Sequence, residues 1–188
     1  MTTNPRASDA EAMIREQQSW VLRHLERISR SSHVLTSDAV MFDGKMLSIR
    51  FEKTEGREAL VPNLDRSEVA VHASSPSSLR ELVRRWFLKE SSSYVVRELP
   101  ALAKQLGVTY RRADVREIKN WGYCTRDGRL SFSWQLIALP ERLRRYVLLH
   151  ELVHLSEHNH SAAFRRRLAS ALPDYRQREK ELNSTIPL

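Results

Sequence analysis

PERLRRYVLLHELVHLSEHNHSAAF, residues 140–164, constrains the chain more tightly than any other stretch. Pro140 stands where a first-turn proline is tolerated. From Glu141 to His158 the sequence is apolar on nearly every side, which predicts a helix buried in the middle of a domain and ending near Asn159. Ser161 can cap a following helix, whose Phe164, Leu168 and Leu172 recur at i, i+4 until Pro173 stops it. Asp174 can cap a last, charged helix.

Inside the first helix, His150, Glu151, Leu152, Val153 and His154 spell HExxH. Residues four apart share a helix face and sit about 6 Å apart along it, so two imidazoles can converge on one metal ion. Glu151, one residue past the first imidazole, can reach the open position of that ion and hold a water there without binding the metal. Two histidines and a glutamate are expensive to bury among leucines and valines without a partner, and a metal supplies one. The bland alternative is a pair of neutral, hydrogen-bonded, partly buried histidines. For a third ligand the candidates are His158 and His160. If the helix runs on, His158 lies about 12 Å along the axis from His150, too far for the same ion. His160, beyond Asn159 and held by the Ser161 cap, can fold back. Three imidazoles with one open position form a common catalytic zinc shell, so the expectation is one Zn2+ on His150, His154 and His160. Glu151 is then the general base for a zinc-bound water that attacks a peptide carbonyl.

Outward from this segment, residues 108–136 read as strands. VREIK leads into YCTRDGRLSFSW, in which Asp127-Gly128 marks a tight turn. Such an edge just before the helix can pair with an extended peptide. Residues 79–106 read as two helices or one bent at Pro100, closed by Gly107. Between Val34 and Ala73, MLSIRF and EVAVHA alternate and Asp43-Gly44 signals a hairpin, which predicts a small antiparallel meander. Residues 10–30 predict one amphipathic helix. The expected division is a helical extension (1–33), a β-meander of the same domain (34–76) and a core carrying the HExxH helix (77–188). The expected class is α+β, a small antiparallel sheet packed on that helix.

The chain has 188 residues, 41% of them hydrophobic and 29% charged, a balance that builds a core and excludes a disordered chain. No apolar run approaches the ~18 residues of a membrane span, and residues 1–20 lack a secretory apolar segment, so the expected location is the cytoplasm, with no membrane partner. With Cys124 as the only cysteine, an intramolecular disulfide and a cysteine-based zinc site are both excluded. Residues 1–75 carry 10 basic and 11 acidic side chains, whereas 76–188 carry 21 and 12, so the basic excess coincides with the expected chemistry. Such a surface can attract nucleic acid or simply keep the protein soluble. The arginines at 165–167 read either as the outer face of a helix or as a phosphate-contacting patch. Trp121 and Trp134 read as core aromatics, Cys124 as a small buried side chain, and Tyr146 as packing. Tyr146, Tyr175 and Arg178 stand in the right part of the chain to stabilise an oxyanion, but Tyr175 and Arg178 also read as decoration of a solvated helix, and none of the three is assigned that role.

The run VREIKNWGYCTRDGRLSFSWQLIALPERLRRYVLLHELVHLSEHNHSAAF (115–164), with LPDYRQREKEL (172–182), resembles the YgjP-like metallopeptidases, relatives of the SprT-like zinc proteases. These share a WGSC signature, a hairpin, a YVVxHELAHL helix, an NHSxxF element and a Pro-Asp-Tyr tail. The resemblance covers about residues 78–183 and implies a zincin-like fold and peptide-bond hydrolysis. It also implies His150, His154 and His160 as ligands and Glu151 as general base. The chain departs from the pattern at Asn120, where the family tends to have arginine, at Tyr123 in place of serine, and at Ser133 in place of asparagine. The substrate class implied is protein or peptide. The alternative, by analogy with SprT-like proteins acting on DNA-attached proteins, is a DNA-associated module with structural zinc and little or no protease activity. Oligomeric state is not specified by the sequence.

Overall fold

A computed structural model of the chain describes residues 35–36 and 38–185. The helix expected over 10–30, and with it the extension 1–33, lies outside the described residues.

Strands β1 (Ala39–Phe42), β2 (Lys45–Lys53), β3 (Ala59–Asn63) and β4 (Glu68–Ala73) form one sheet in the order β1-β2-β4-β3. Asp43 and Gly44 both have positive φ (51° and 72°), the geometry of a two-residue hairpin turn whose twist matches its strands. The expected antiparallel meander is corrected here, because β2 and β4 are parallel, with Ile49 opposite Val69 and Phe51 opposite Val71. Composition explains the order. EVAVHA is the most buried of the four strands and takes a central position with both edges paired. β3 contains Pro62, which cannot donate to a ladder and is confined to an edge.

A 3₁₀ turn (Pro76–Ser78) leads into helix α1 (Leu79–Leu106), a single 28-residue helix with Pro100 inside it and Gly107 at its end. Pro100 does not divide it, because its apolar face, from Leu82, Phe87 and Val95 to Leu99, Leu102 and Ala103, stays buried across that position. Strands β5 (Arg112–Arg116), β6 (Gly122–Cys124) and β7 (Arg129–Ser133) form a second sheet in the order β5-β7-β6. The sheet beside the HExxH helix is therefore mixed too, since β5 runs parallel to β7 and only β6–β7 is antiparallel.

A 3₁₀ segment (Trp134–Ala138) connects to helix α2 (Glu141–Val153), which carries HExxH, followed by α3 (Ala162–Ala171) and α4 (Tyr175–Ser184). Ser91 of α1 ties the 3₁₀ segment down by donating to the Trp134 carbonyl (2.8 Å) and accepting from Ile137 N–H (3.0 Å). One apolar cluster joins the first sheet, α1, β7 and all three later helices; its largest fully buried members include Phe87, Phe132 and Phe164.

The first sheet is anchored to the start of α2. The N–H groups of Asp43 and Gly44 donate to Ile137 and Ala138 carbonyls (2.9 and 2.8 Å), and the Asp43 carboxylate pairs with Arg144 at 2.9 Å. A Cβ on Gly44 would come within 2.9 Å of Pro140, so glycine serves the close approach as well as the turn. Ser161 caps α3 as expected, its side chain accepting from Phe164 N–H. Asp174 stands at the start of α4 but caps nothing, because its carboxylate accepts from Arg178 Nε at 2.9 Å instead.

Candidate metal centre

Helix α2 stops at Val153, six residues before the expected end at Asn159. His154 is its last half-helical residue. Its Nδ1 hydrogen-bonds the Glu157 carbonyl (2.9 Å) and Ser156 Oγ takes the Val153 carbonyl (3.1 Å), local bonds that compete with another helical turn. The chain turns back at once, so that His160 reaches the pair from outside the helix. The His150 Nε2 lies 3.2 Å from His154 Nε2 and 3.1 Å from His160 Nε2, and the three residues' ligating nitrogens all lie within 4.8 Å of one another. His158 is not in the cluster; it is exposed and lines the adjacent cleft.

The donor set fits a metal. His154 Nδ1 faces a carbonyl oxygen and so carries the proton, which leaves Nε2 as a bare lone pair directed at another imidazole nitrogen. Three imidazole nitrogens this close can share one cation when each presents its lone pair, as His154 does. Tetrahedral zinc with Zn–N bonds of ~2.0–2.1 Å puts its ligand nitrogens roughly 3.3 Å apart. Burial, then His154 and His160, push the His150 imidazole down to about 3, and burial also lowers His154, so both stay neutral as ligands must. The Phe164 ring packs 4.6–5.0 Å from all three imidazoles and fixes their spacing.

Glu151 is buried on α2 next to His150, and no hydrogen bond or ion pair from the described residues reaches its carboxylate. Burial alone pushes its acid up to about 8 in the metal-free chain. It borders both halves of a groove. One, of about 270 Å³, lies toward α4 and includes Trp121, Tyr146, Glu179 and Leu182; the other, of about 430 Å³, lies toward the β6–β7 turn and includes Tyr123, Cys124 and Arg126.

β6 forms the wall of this groove. Ser133 N–H donates to the Trp121 carbonyl and Thr125 N–H to that of Arg129, both at 2.9 Å, in the register that sets Gly122 opposite Phe132 and Cys124 opposite Leu130. Alternation then turns the N–H and C=O of Gly122 and Cys124 away from β7, toward the open edge.

Three contributions could not be read from sequence. Gly122 is needed for close approach, since a Cβ there would lie 2.8 Å from Glu151 Cγ. Tyr146 does more than pack: its hydroxyl is 3.3 Å from His150 Nδ1, and burial, then the Glu179 and Glu151 carboxylates, keep it protonated. Arg144 is buried and partnered with the first sheet. The i, i+4 spacing of Tyr146 and His150 was the one available signal for the second.

Other readings are amended. Cys124 is half-buried, its thiol pushed up to about 11 by burial, then by Glu151 and Asp127. Tyr175 is buried, and Arg178 is held by Asp174 and the Arg142 carbonyl. Of the arginines at 165–167, Arg165 and Arg166 are exposed while Arg167 donates to the Leu106 carbonyl. Trp121 and Trp134 are partly buried against the core.

Residues 2–185 match the YgjP-like, metallopeptidase domain family. The chain belongs to that family. Its name implies a metal-dependent hydrolase, and the triad described above supplies a place for the metal. Neither curated proteins nor solved structures gave a match. Two departures from the YgjP-like pattern have local accounts. Ser133 caps the 3₁₀ segment by accepting from Gln135 N–H, a task serine and asparagine share, and the Tyr123 ring lies under the Arg116 guanidinium at 5.3 Å. Nothing in the structure explains Asn120. No helix of the described residues is long and apolar enough to cross a membrane.

Proposed function

We infer that this chain is a zinc-dependent peptidase in which His150, His154 and His160 hold the ion and Glu151 is the general base. The observation that carries the reading is the unpaired, buried Glu151 carboxylate beside three imidazole nitrogens that converge on one point. A structural zinc site is closed by four protein ligands and gains nothing from such a carboxylate. Zinc held there would lower the pKa of a coordinated water to ~7 and polarise the scissile carbonyl. Glu151 takes the proton of the attacking water and passes it to the departing amine nitrogen. His154 keeps its tautomer through the Glu157 carbonyl, and the Tyr146 hydroxyl can accept from His150 Nδ1–H and orient that ring. An extended peptide adds to the free edge of β6 through the Gly122 and Cys124 main chain, which sets the scissile bond beside Glu151.

Elemental analysis tests the ligand set: about one zinc per chain in the wild type, sharply reduced in His160→Ala. Absence of zinc under loading conditions overturns the reading. A second reading, a DNA-associated module with little proteolysis, is favoured by exposed Arg165 and Arg166 on α3, for which no ion pair is found among the described residues. It requires salt-dependent DNA affinity that ignores Glu151→Gln.

A further inference from the structure

The two halves of the groove differ in charge. Toward the β6–β7 turn, Arg126 and His158 line the cleft together with the zinc-site histidines. Toward α4, the added charge is Glu179. The other acidic residues of this helix region are engaged: Asp174 with Arg178, and Glu181 with Arg142. Glu179 is half-buried and has no hydrogen bond or ion pair among the described residues. Arg176 attracts it only through space, its guanidinium lying over the Tyr175 ring. On α4, Glu179, Leu182 and Asn183 stand at i, i+3 and i+4, so one helix row presents a carboxylate, an apolar surface and an amide to the same lobe. Trp121 and Tyr146 supply aromatic surface from other elements.

We propose that this lobe is a specificity pocket for a cationic group of the substrate peptide next to the scissile bond, with Glu179 as its counter-ion. The assignment rests on the peptidase reading above. A volume of about 270 Å³ accommodates a lysine or arginine side chain. Leu182 receives the aliphatic stem, Trp121 and Tyr146 offer ring faces to the cation, and the carboxylate at the end pairs with it. The opposite lobe, with the Arg126 guanidinium, disfavours a cation, so the same charge difference selects one direction for the bound peptide. A free peptide α-amine has the same chemistry as a lysine ammonium and is the other source of the cation.

The test is binding to the zinc-loaded Glu151→Gln protein, followed by tryptophan fluorescence. The probes are acetyl-Ala-Ala-Lys-Ala-Ala-amide, its norleucine counterpart, and the norleucine peptide with a free amino terminus. We expect the lysine peptide, or the free-amine peptide if the α-amine is the source, to bind at least about fivefold more tightly than the capped norleucine peptide. Adding Glu179→Gln should erase that preference. Equal binding of all three, absence of binding, or a preference that survives Glu179→Gln overturns the assignment. Hydrolysis of the same peptides by the wild type separates this outcome from the parent reading. Cleavage without a cation preference sinks the pocket and leaves the peptidase, whereas a Glu179-dependent preference in binding without any cleavage sinks the peptidase and leaves the pocket.

Discussion

Arg144 and Glu151 sit seven residues apart on α2, nearly the same side of the helix, and each is only 6% exposed. Their surroundings are opposite. The Arg144 guanidinium donates to the Ile137 and Leu139 carbonyls, pairs with Asp43 and lies over the Tyr94 ring at 4.7 Å, with Nε alone left without a partner. Glu151 has no hydrogen bond or ion pair among the described residues; Gly122 lies close against it and it borders the open groove. A buried charge that the fold has neutralised is architecture, holding the first sheet to the helix. A buried carboxyl left without a partner, its pKa raised by burial, is the kind of group that marks a candidate functional site.

The comparison is broken or sharpened by treating its two ends separately. The largest effect is expected from the metal. Zinc at ~1,000 times its dissociation constant stabilises the native state by about 4 kcal/mol. Chelation should therefore lower the melting temperature by roughly 8–16 °C in a chain of this size, and His160→Ala should abolish the response. Calorimetry with and without chelator checks this; an unresponsive wild type speaks against the site. At the other end, Arg144→Leu leaves the Asp43 carboxylate without its cation and the Leu139 carbonyl without its donor, while the Ile137 carbonyl keeps the Asp43 N–H, and should cost about 3 kcal/mol. That loss should be equal with and without zinc, and a loss that vanishes on metal loading would mean the two ends are coupled.

A third expectation concerns Cys124, whose thiol is shifted first by burial and then by Glu151. With its thiol at about 11 against an ordinary 9, Cys124 should react with iodoacetamide at pH 8 about a hundredfold more slowly than an unperturbed cysteine. The sign follows from the thiolate being the nucleophile: raising the pKa depletes it throughout the range below the new value. Glu151→Gln should speed the reaction, and mass spectrometry of the modified chain reads the rate. The smallest effect is expected from Gly122→Ala, whose methyl must displace the Glu151 side chain. Hydrolysis should fall by about tenfold while zinc content stays at the wild-type level. A variant that also loses zinc would show that Gly122 supports the ligands and not the carboxylate.

The features legible in the sequence are those that nearest neighbours determine. Asp43-Gly44 turns because adjacent residues accept positive φ, Ser161 caps because its hydroxyl reaches three residues on, and His150 and His154 share a face by helical spacing. What was misread depends on distant partners. The parallel pairing of β2 with β4 turns on Pro62 excluding β3 from the interior, and alternation within each strand carries no trace of it. Arg144 looks like any arginine of a charged run until Asp43, a hundred residues earlier, arrives beside it. The stop at Val153 is set by a side-chain bond to the Glu157 carbonyl, which local hydropathy does not register. His160 was legible as a candidate although the helix ends early, because a third ligand requires only that the chain return toward the pair. Gly122 stood in a signature whose reason appears only with Glu151 against it.

The most direct test of the central claim is the rate of peptide hydrolysis by zinc-loaded wild type and zinc-loaded Glu151→Gln, measured at equal zinc occupancy. Glutamine keeps the shape and cannot take a proton, so the account expects a fall in kcat of at least about a thousandfold with zinc and fold intact. A variant that hydrolyses peptides at a rate near that of the wild type would contradict it.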